Sequence, residues 1–273
     1  MDNRKFKGLP VARKTARFWM PFIKRYYRAK YKGIDNIPDT PFLGVGNHMG
    51  VYFMPECFLW LGKCHTMRNK PPMRVLVHKV LHEMASFLNL PEKEFGIMEA
   101  SHKNAMEAFA GGSSITVYPG GDRDNSKRWV DRNKIDFFNH LGYVRLALKA
   151  QVPIVPIVGC GGGETLFVAS SGEEFAKKSG LTKILKVHTW PVYWSFPFGW
   201  KVGHFPYPSI PLPSQVTLSV LPPYDVSAYS PKDAENDEVV KKINQEIIEM
   251  MQKEMDRLAE GRIPIIGKLF DKD

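Results

Sequence analysis

Apolar positions along the chain fall into two patterns. Residues 42–46 and 152–158 form short apolar runs, and 73–77, 114–118 and 216–220 are short apolar-rich segments with single polar residues, all of which predict strands. Residues 80–90, 103–110 and 141–150 carry the wider spacing of helices. Val240, Ile243, Ile247, Met251, Met255 and Leu258 recur at three- and four-residue intervals, so 231–260 reads as a helix with one buried stripe, stopped at Gly261. Pro55, with Glu56 beside it, opens a further helix. Strands alternating with helices predict an α/β fold, a mostly parallel central sheet covered by helices. Residues 190–207 hold eight aromatics among prolines and glycines that exclude a regular helix.

The chain has 273 residues, 44% apolar and 24% charged, which excludes the disordered and fibrous classes. No run approaches the ~18 apolar residues of a spanning helix. Three cysteines build no disulfide framework and no secretory signal opens the chain, so a reducing compartment is expected. Without repeats or low-complexity linkers, the expected organisation is an N-terminal arm over 1–32 and a single domain over 33–273.

The net charge of +10 sharpens that division. Residues 1–32 carry eleven Lys/Arg and one acid, so the remaining residues sum to zero. Such a balanced body disfavours nucleic acid as a partner. The arm interleaves its cations with Phe18, Phe22 and Tyr26, four residues apart, and with Trp19, Ile23 and Tyr27 beside them. A basic amphipathic helix of this kind suits a membrane surface, with Pro21 kinking it or marking its start.

Two strand ends carry candidate chemistry, because function in open α/β sheets collects at carboxyl ends. The first is Gly46-Asn47-His48-Met49-Gly50. His48 there suits a structural role as readily as a catalytic one. The second is Tyr118-Pro119-Gly120-Gly121-Asp122-Arg123-Asp124. Paired glycines admit a ligand close to the backbone, and Arg123 suits a phosphate; a tight turn with a surface ion pair fits equally. The chain holds no G-x-S-x-G elbow and no phosphate-loop signature. Cys64-His65 lacks zinc-ligand partners at useful spacing, and no metal is implied.

The order of these segments resembles the glycerolipid acyltransferases, the lysophosphatidic-acid acyltransferase superfamily, and most of all its monoacylglycerol- and diacylglycerol-acyltransferase-like branch. The resemblance covers about 40–262. Asn47-His48 matches the catalytic-His block, 96–105 the second, 117–124 the Pro-Gly-Gly block, and 142–148 with 152–156 the fourth. The resemblance implies transfer of a fatty acyl group from acyl-CoA or acyl-ACP, the only co-substrate and no further cofactor, to a hydroxyl of a glycerolipid or lysophospholipid. His48 would be the general base and Glu56 its partner. Asn47, Gly120, Gly121, Arg123 and Arg145 would bind substrate, with the Gly120 and Gly121 N–H groups near the oxyanion. The protein would work at the cytoplasmic face of a membrane, held through its arm.

Two departures qualify this. The family's usual acid five residues after the His is Phe53 here, whereas Pro55-Glu56 fits a variant with the acid eight residues on. A straight helix would separate His48 and Glu56 by ~12 Å, so Met49-Gly50 must bend the chain for the two to meet. In the second block Glu99 and His102 stand where the family often has Pro and Arg, which removes a phosphate-binding cation. The rival expectations are a catalytically silent membrane-binding member and an enzyme for a non-glycerol lipid acceptor.

Overall fold

The computed structural model describes residues 9–50, 53–67, 69–77, 92–184, 187–204 and 209–269. The helix expected over 80–90, with His78 and His82, lies outside them, as do residues 205–207 of the aromatic stretch.

Seven strands form the main sheet in the order β1-β10-β6-β2-β5-β3-β4. They are β1 (Lys30–Lys32), β2 (Leu43–Gly46), β3 (Met73–Val77), β4 (Ile97–Glu99), β5 (Ser114–Val117), β6 (Ile154–Cys160) and β10 (Thr217–Val220). From β6 to β4 all neighbours run parallel; β10 is antiparallel to β6, and β1 follows β10 in parallel. The expected mostly parallel sheet is therefore present, with a reversed two-stranded edge. β2 and β6 are buried at every position, which is why they read as unbroken apolar runs.

Helices cover both faces. Among the described residues they are α1 (Pro10–Tyr26), α2 (Pro55–Thr66), α3 (Glu92–Phe95), α4 (His102–Ala110), α5 (Gly121–Asn125), α6 (Gly142–Ala150), α7 (Glu173–Lys178), α8 (Leu181–Ile184) and α9 (Asp237–Ala259). α4, α6 and α9 pack on β2, β5 and β6 in one core, and the expected stripe of α9 from Val240 to Leu258 is buried there. The Asn236 side chain caps α9, accepting the Glu238 N–H at 3.0 Å. α1 and α2 build the second core against β6 and β10.

α1 runs through Pro21 without stopping and buries its small face, Ala12, Ala16 and Met20. Met20 presses on Gly62 of α2 so closely that a Cβ there would overlap its sulfur. The aromatics Phe18, Trp19 and Phe22 face outward, more than half exposed. Residues 30–32, placed in the arm by their charge, are the edge strand β1, and Tyr27 is buried. A second, antiparallel sheet of β7 (Phe167–Ser170), β8 (Val192–Ser195) and β9 (Gly199–Val202) stands beside the main one.

Candidate active site

β2 delivers Asn47-His48 at its carboxyl end, between β5 and β6. Asn47 is buried, and its amide makes two bonds to the Gly159 backbone on β6. It donates to the carbonyl at 3.1 Å and accepts from the N–H at 2.9 Å. These two bonds form a clamp that fixes the strand exit. Gly46 lies against the Tyr118 ring, 2.6 Å from where a Cβ would stand, so a larger residue would push that ring away. With Gly46 in place, Tyr118 stacks on His48, centroids 4.5 Å apart and planes 17° from parallel.

The chain then reverses. Gly50 takes a left-handed φ of 82°, and Phe53 N–H bonds back to the Gly50 carbonyl at 3.0 Å. Pro55 starts α2, which places Glu56 in its first turn, buried, with Oε1 3.0 Å from His48 Nδ1. Eight residues of sequence separation close to one hydrogen bond because the turn, rather than a helix, connects them. The same oxygen accepts the Met49 N–H at 3.1 Å, and Cys57 Sγ lies 3.6 Å away. His48 remains partly exposed, at 15%.

Tyr118 and Cys57 complete this cluster through their own hydrogen bond. Burial, reinforced by the Glu56 carboxylate, pushes the Cys57 thiol well above its ordinary range, and burial does the same to the Tyr118 phenol. Both stay protonated at neutral pH. Among the described residues, His48, Glu56 and Cys57 present donor atoms within 4.8 Å of one another and could hold a metal ion.

The Pro-Gly-Gly block approaches from β5. Asp124, buried in α5, accepts the backbone N–H of His48 with one oxygen and Lys127 Nζ at 2.6 Å with the other. Gly120 makes this possible, because a Cβ on it would overlap the Asp124 side chain. The Gly121 N–H donates to the Tyr118 carbonyl at 3.3 Å and is thereby removed from oxyanion duty. Arg123 is half-exposed, 3.9 Å from Glu173 and stacked over Phe138 at 5.4 Å. Asp122 receives the N–H groups of His188 and Thr189, tying the loop before β8 to this block. Arg145 does not join the site. Its guanidinium is committed to the Ala234 carbonyl and the Asp237 carboxylate, where it locks α6 to the start of α9.

Sequence reasoning missed Asp124, Tyr118 and Cys57 as members of the site. The signal for the first two was their position just past a buried strand, inside a block already singled out. Beside this site, an apolar cleft of about 250 Å³ opens at the carboxyl ends of β3, β4 and β5, lined by Leu76, Ala100, Val117, Pro119, Tyr143 and Leu146 among others.

Comparisons with known proteins agree with this architecture. Residues 28–159 match the family model Acyltransferase. Over 253 residues the chain is 26% identical to an uncharacterized protein of Mycobacterium tuberculosis, covering 92% of this chain and 66% of that protein. It thus spans just under two thirds of that relative's length. Over 161 residues it is 27% identical to the 1-acyl-sn-glycerol-3-phosphate acyltransferase BAT2, chloroplastic, of Brassica napus, covering 58% of this chain and 44% of that one. The crystal structure of the 1-acyl-sn-glycerophosphate (LPA) acyltransferase PlsC from Thermotoga maritima shares the fold. The TM-score is 0.51 at 14% identity, over 90% of this chain and 83% of that chain. The matched segment 28–159 includes β2, the strand-end His48 and the Pro-Gly-Gly block. Just under half of the chain, residues 28–159, is thus similar to the acyltransferase family, and the fold is shared with the PlsC structure.

Proposed function

We propose that the protein transfers a fatty acyl group from an acyl thioester, acyl-CoA or acyl-ACP, to a hydroxyl of a glycerolipid or lysophospholipid. The observation that carries this reading is the 3.0 Å contact of Glu56 with His48 Nδ1, in a ring left partly exposed. With Nδ1–H held by the carboxylate, Nε2 is the basic nitrogen that faces an acceptor hydroxyl. The hydroxyl gives its proton to Nε2 while its oxygen attacks the thioester carbonyl. The tetrahedral oxyanion collapses, the C–S bond breaks, and the departing thiolate takes the proton back from the imidazolium. A positioned base contributes about 10²–10⁴ in rate. We assign the Gly120 N–H to the oxyanion and Arg123 to a phosphate of the donor or acceptor. The acyl chain occupies the apolar cleft beside Pro119.

The reaction takes place at a membrane surface, with the outward aromatics and cations of α1 as the contact and the cytoplasmic face as the side. Among the described residues no helix is long and apolar enough to cross a membrane. The test is an acyl-transfer assay with a long-chain acyl-CoA, then acyl-ACP. The acceptors are lysophosphatidic acid, other lysophospholipids, monoacylglycerol, diacylglycerol and a sugar lipid, with products read by mass spectrometry. A product that disappears in His48→Ala supports the reading and names the acceptor. Undiminished turnover in that variant would falsify it.

A further inference from the structure

The small sheet beside the site has one buried and one open face. Val168 and Tyr193 point inward, where with Leu166 they pack on Phe53, five residues beyond His48. In the same register, Phe167 stands directly across from Trp194, and Trp194 directly across from Trp200. Side chains alternate along a strand, so these three form a row across β7, β8 and β9 on the opposite, outer face. Trp200 is 59% exposed, and Phe196 and Phe198 at the β8–β9 turn are about half exposed. Trp129 extends the row, 5.5 Å from Phe167, with Arg132 stacked over it at 4.8 Å. Lys201 lies 5.8 Å over the Phe198 ring.

This row continues toward α1. Phe196 pairs with Ile210, itself about half exposed, and the next residue, Pro211, accepts the Tyr26 hydroxyl at the end of α1. Arg28 grips the carbonyls of Pro213, Ile265 and Ile266. The outward rings of α1, Phe18, Trp19 and Phe22, cluster within 5.0–6.2 Å of one another. Charge marks the same two regions. Residues 10–28 hold six Lys/Arg and no acid, and residues 175–224 hold five lysines and no acid, in a chain otherwise rich in carboxylates. The exposed aromatics of α1 and of the β8–β9 hairpin, each in an acid-free stretch of sequence, match the interface of an anionic bilayer, where Trp and Phe sit at headgroup depth and carboxylates are repelled.

We propose that the outer face of β7–β9, with the Phe196–Phe198 tip, is a second membrane anchor, which acts with α1 to seat the His48 site against an anionic lipid surface. The inference rests on the membrane reading of α1 given above. Two anchors on one rigid body bind far more tightly together than either alone, because the second docks from an effectively high concentration.

The test is co-sedimentation of the full chain with vesicles of phosphatidylcholine alone and of 70:30 phosphatidylcholine:phosphatidylglycerol. The native protein is compared with Phe198→Ser/Trp200→Ser and with Phe18→Ser/Phe22→Ser. All four substitutions lie on exposed side chains, and circular dichroism with thermal melting checks that the fold persists. The expected result is binding to the anionic vesicles that falls at least tenfold in each double variant. Brominated lipid should quench a Trp200 signal, isolated by difference against Trp200→Phe. Unchanged partition of the hairpin variant with no quenching of Trp200 overturns the second anchor, while loss in the α1 variant alone leaves the arm reading standing. Failure of the native protein to bind anionic vesicles overturns both. Acyl transfer to a detergent-dispersed acceptor is measured in parallel, so failure of the chemistry is read separately from failure to dock.

Discussion

Glu56 Oε1 lies 3.0 Å from His48 Nδ1 and accepts the Met49 N–H at 3.1 Å, so one oxygen fixes both the imidazole and the peptide behind it. Glu56 is buried at the N-terminal turn of α2, where the helix dipole favours its negative charge. The acid is held in place by the first turn of α2 and oriented by the turn at Gly50. Its displacement to eight residues after the histidine is matched by a chain reversal of the right length.

Replacing this acid separates orientation from packing. Glu56→Gln keeps the volume, but its amide no longer holds the ring in the tautomer with a proton on Nδ1 or stabilises the imidazolium. Turnover should fall about 10²–10⁴-fold with little change in KM, since the group acts in the transition state. Steady-state kinetics on the acceptor identified by the panel would check this. A Glu56→Gln enzyme within threefold of native would show that His48 works without it.

Asp124 is the second support, reaching the His48 backbone and Lys127 at once. Both partners are largely buried, so Asp124→Asn leaves the Lys127 ammonium without its counter-charge. The expected loss is about 3–5 kcal/mol of stability. Adding Lys127→Met removes the stranded charge and should restore much of the melting temperature. It should not restore turnover, because the anion that holds the His48 peptide is still absent. Recovery of both together would mean that Asp124 serves the fold alone.

What the sequence disclosed follows from how each feature is encoded. β2, β6 and α9 were legible because their side chains are buried without interruption or along a regular stripe. The strands β8 and β9 were not, because prolines and glycines crowd the aromatics there and each strand is four residues long. The α1 stripe was read from its aromatics, whereas the buried face is the inconspicuous Ala12–Ala16–Met20 row. His48 was visible from its place after a strand. Asp124 was hidden, since one acid in an Asp-Arg-Asp run is indistinguishable from the next until the fold buries it. Arg145 misled for the converse reason: its partner Asp237 is ninety-two residues away, and no local pattern announces a long-range ion pair.

The apolar cleft gives a prediction about chain length. Ala100 lines it from the exposed connection between β4 and α4, where a larger side chain costs the core nothing. Ala100→Leu should narrow the cleft and shift preference toward shorter acyl chains. The ratio of kcat/KM for sixteen- over twelve-carbon donors should drop by about tenfold, the scale of one or two lost methylene contacts. An unchanged ratio would place the acyl chain elsewhere.

His65 ties the stability of the α1–α2 packing to pH. Burial lowers its pKa to about 4, and Arg13 of α1 pushes in the same direction, against a weaker opposing bond to the Phe95 backbone. In the unfolded chain the group titrates near its ordinary value of about 6.5. Between those two values the unfolded state binds more protons than the folded one, so stability rises with pH across the window. The native protein should therefore melt at lower temperature at pH 5 than at pH 7.5, by an amount on the order of 1–3 kcal/mol. His65→Gln, which cannot take the proton, should flatten that part of the profile while leaving the pH 7.5 value within about 1 kcal/mol. Thermal melts of both proteins from pH 4.5 to 8 decide it. Parallel slopes would assign the acid sensitivity to other groups. A flattened slope would assign that acid sensitivity to His65 on α2, the helix against which the outward-aromatic α1 packs.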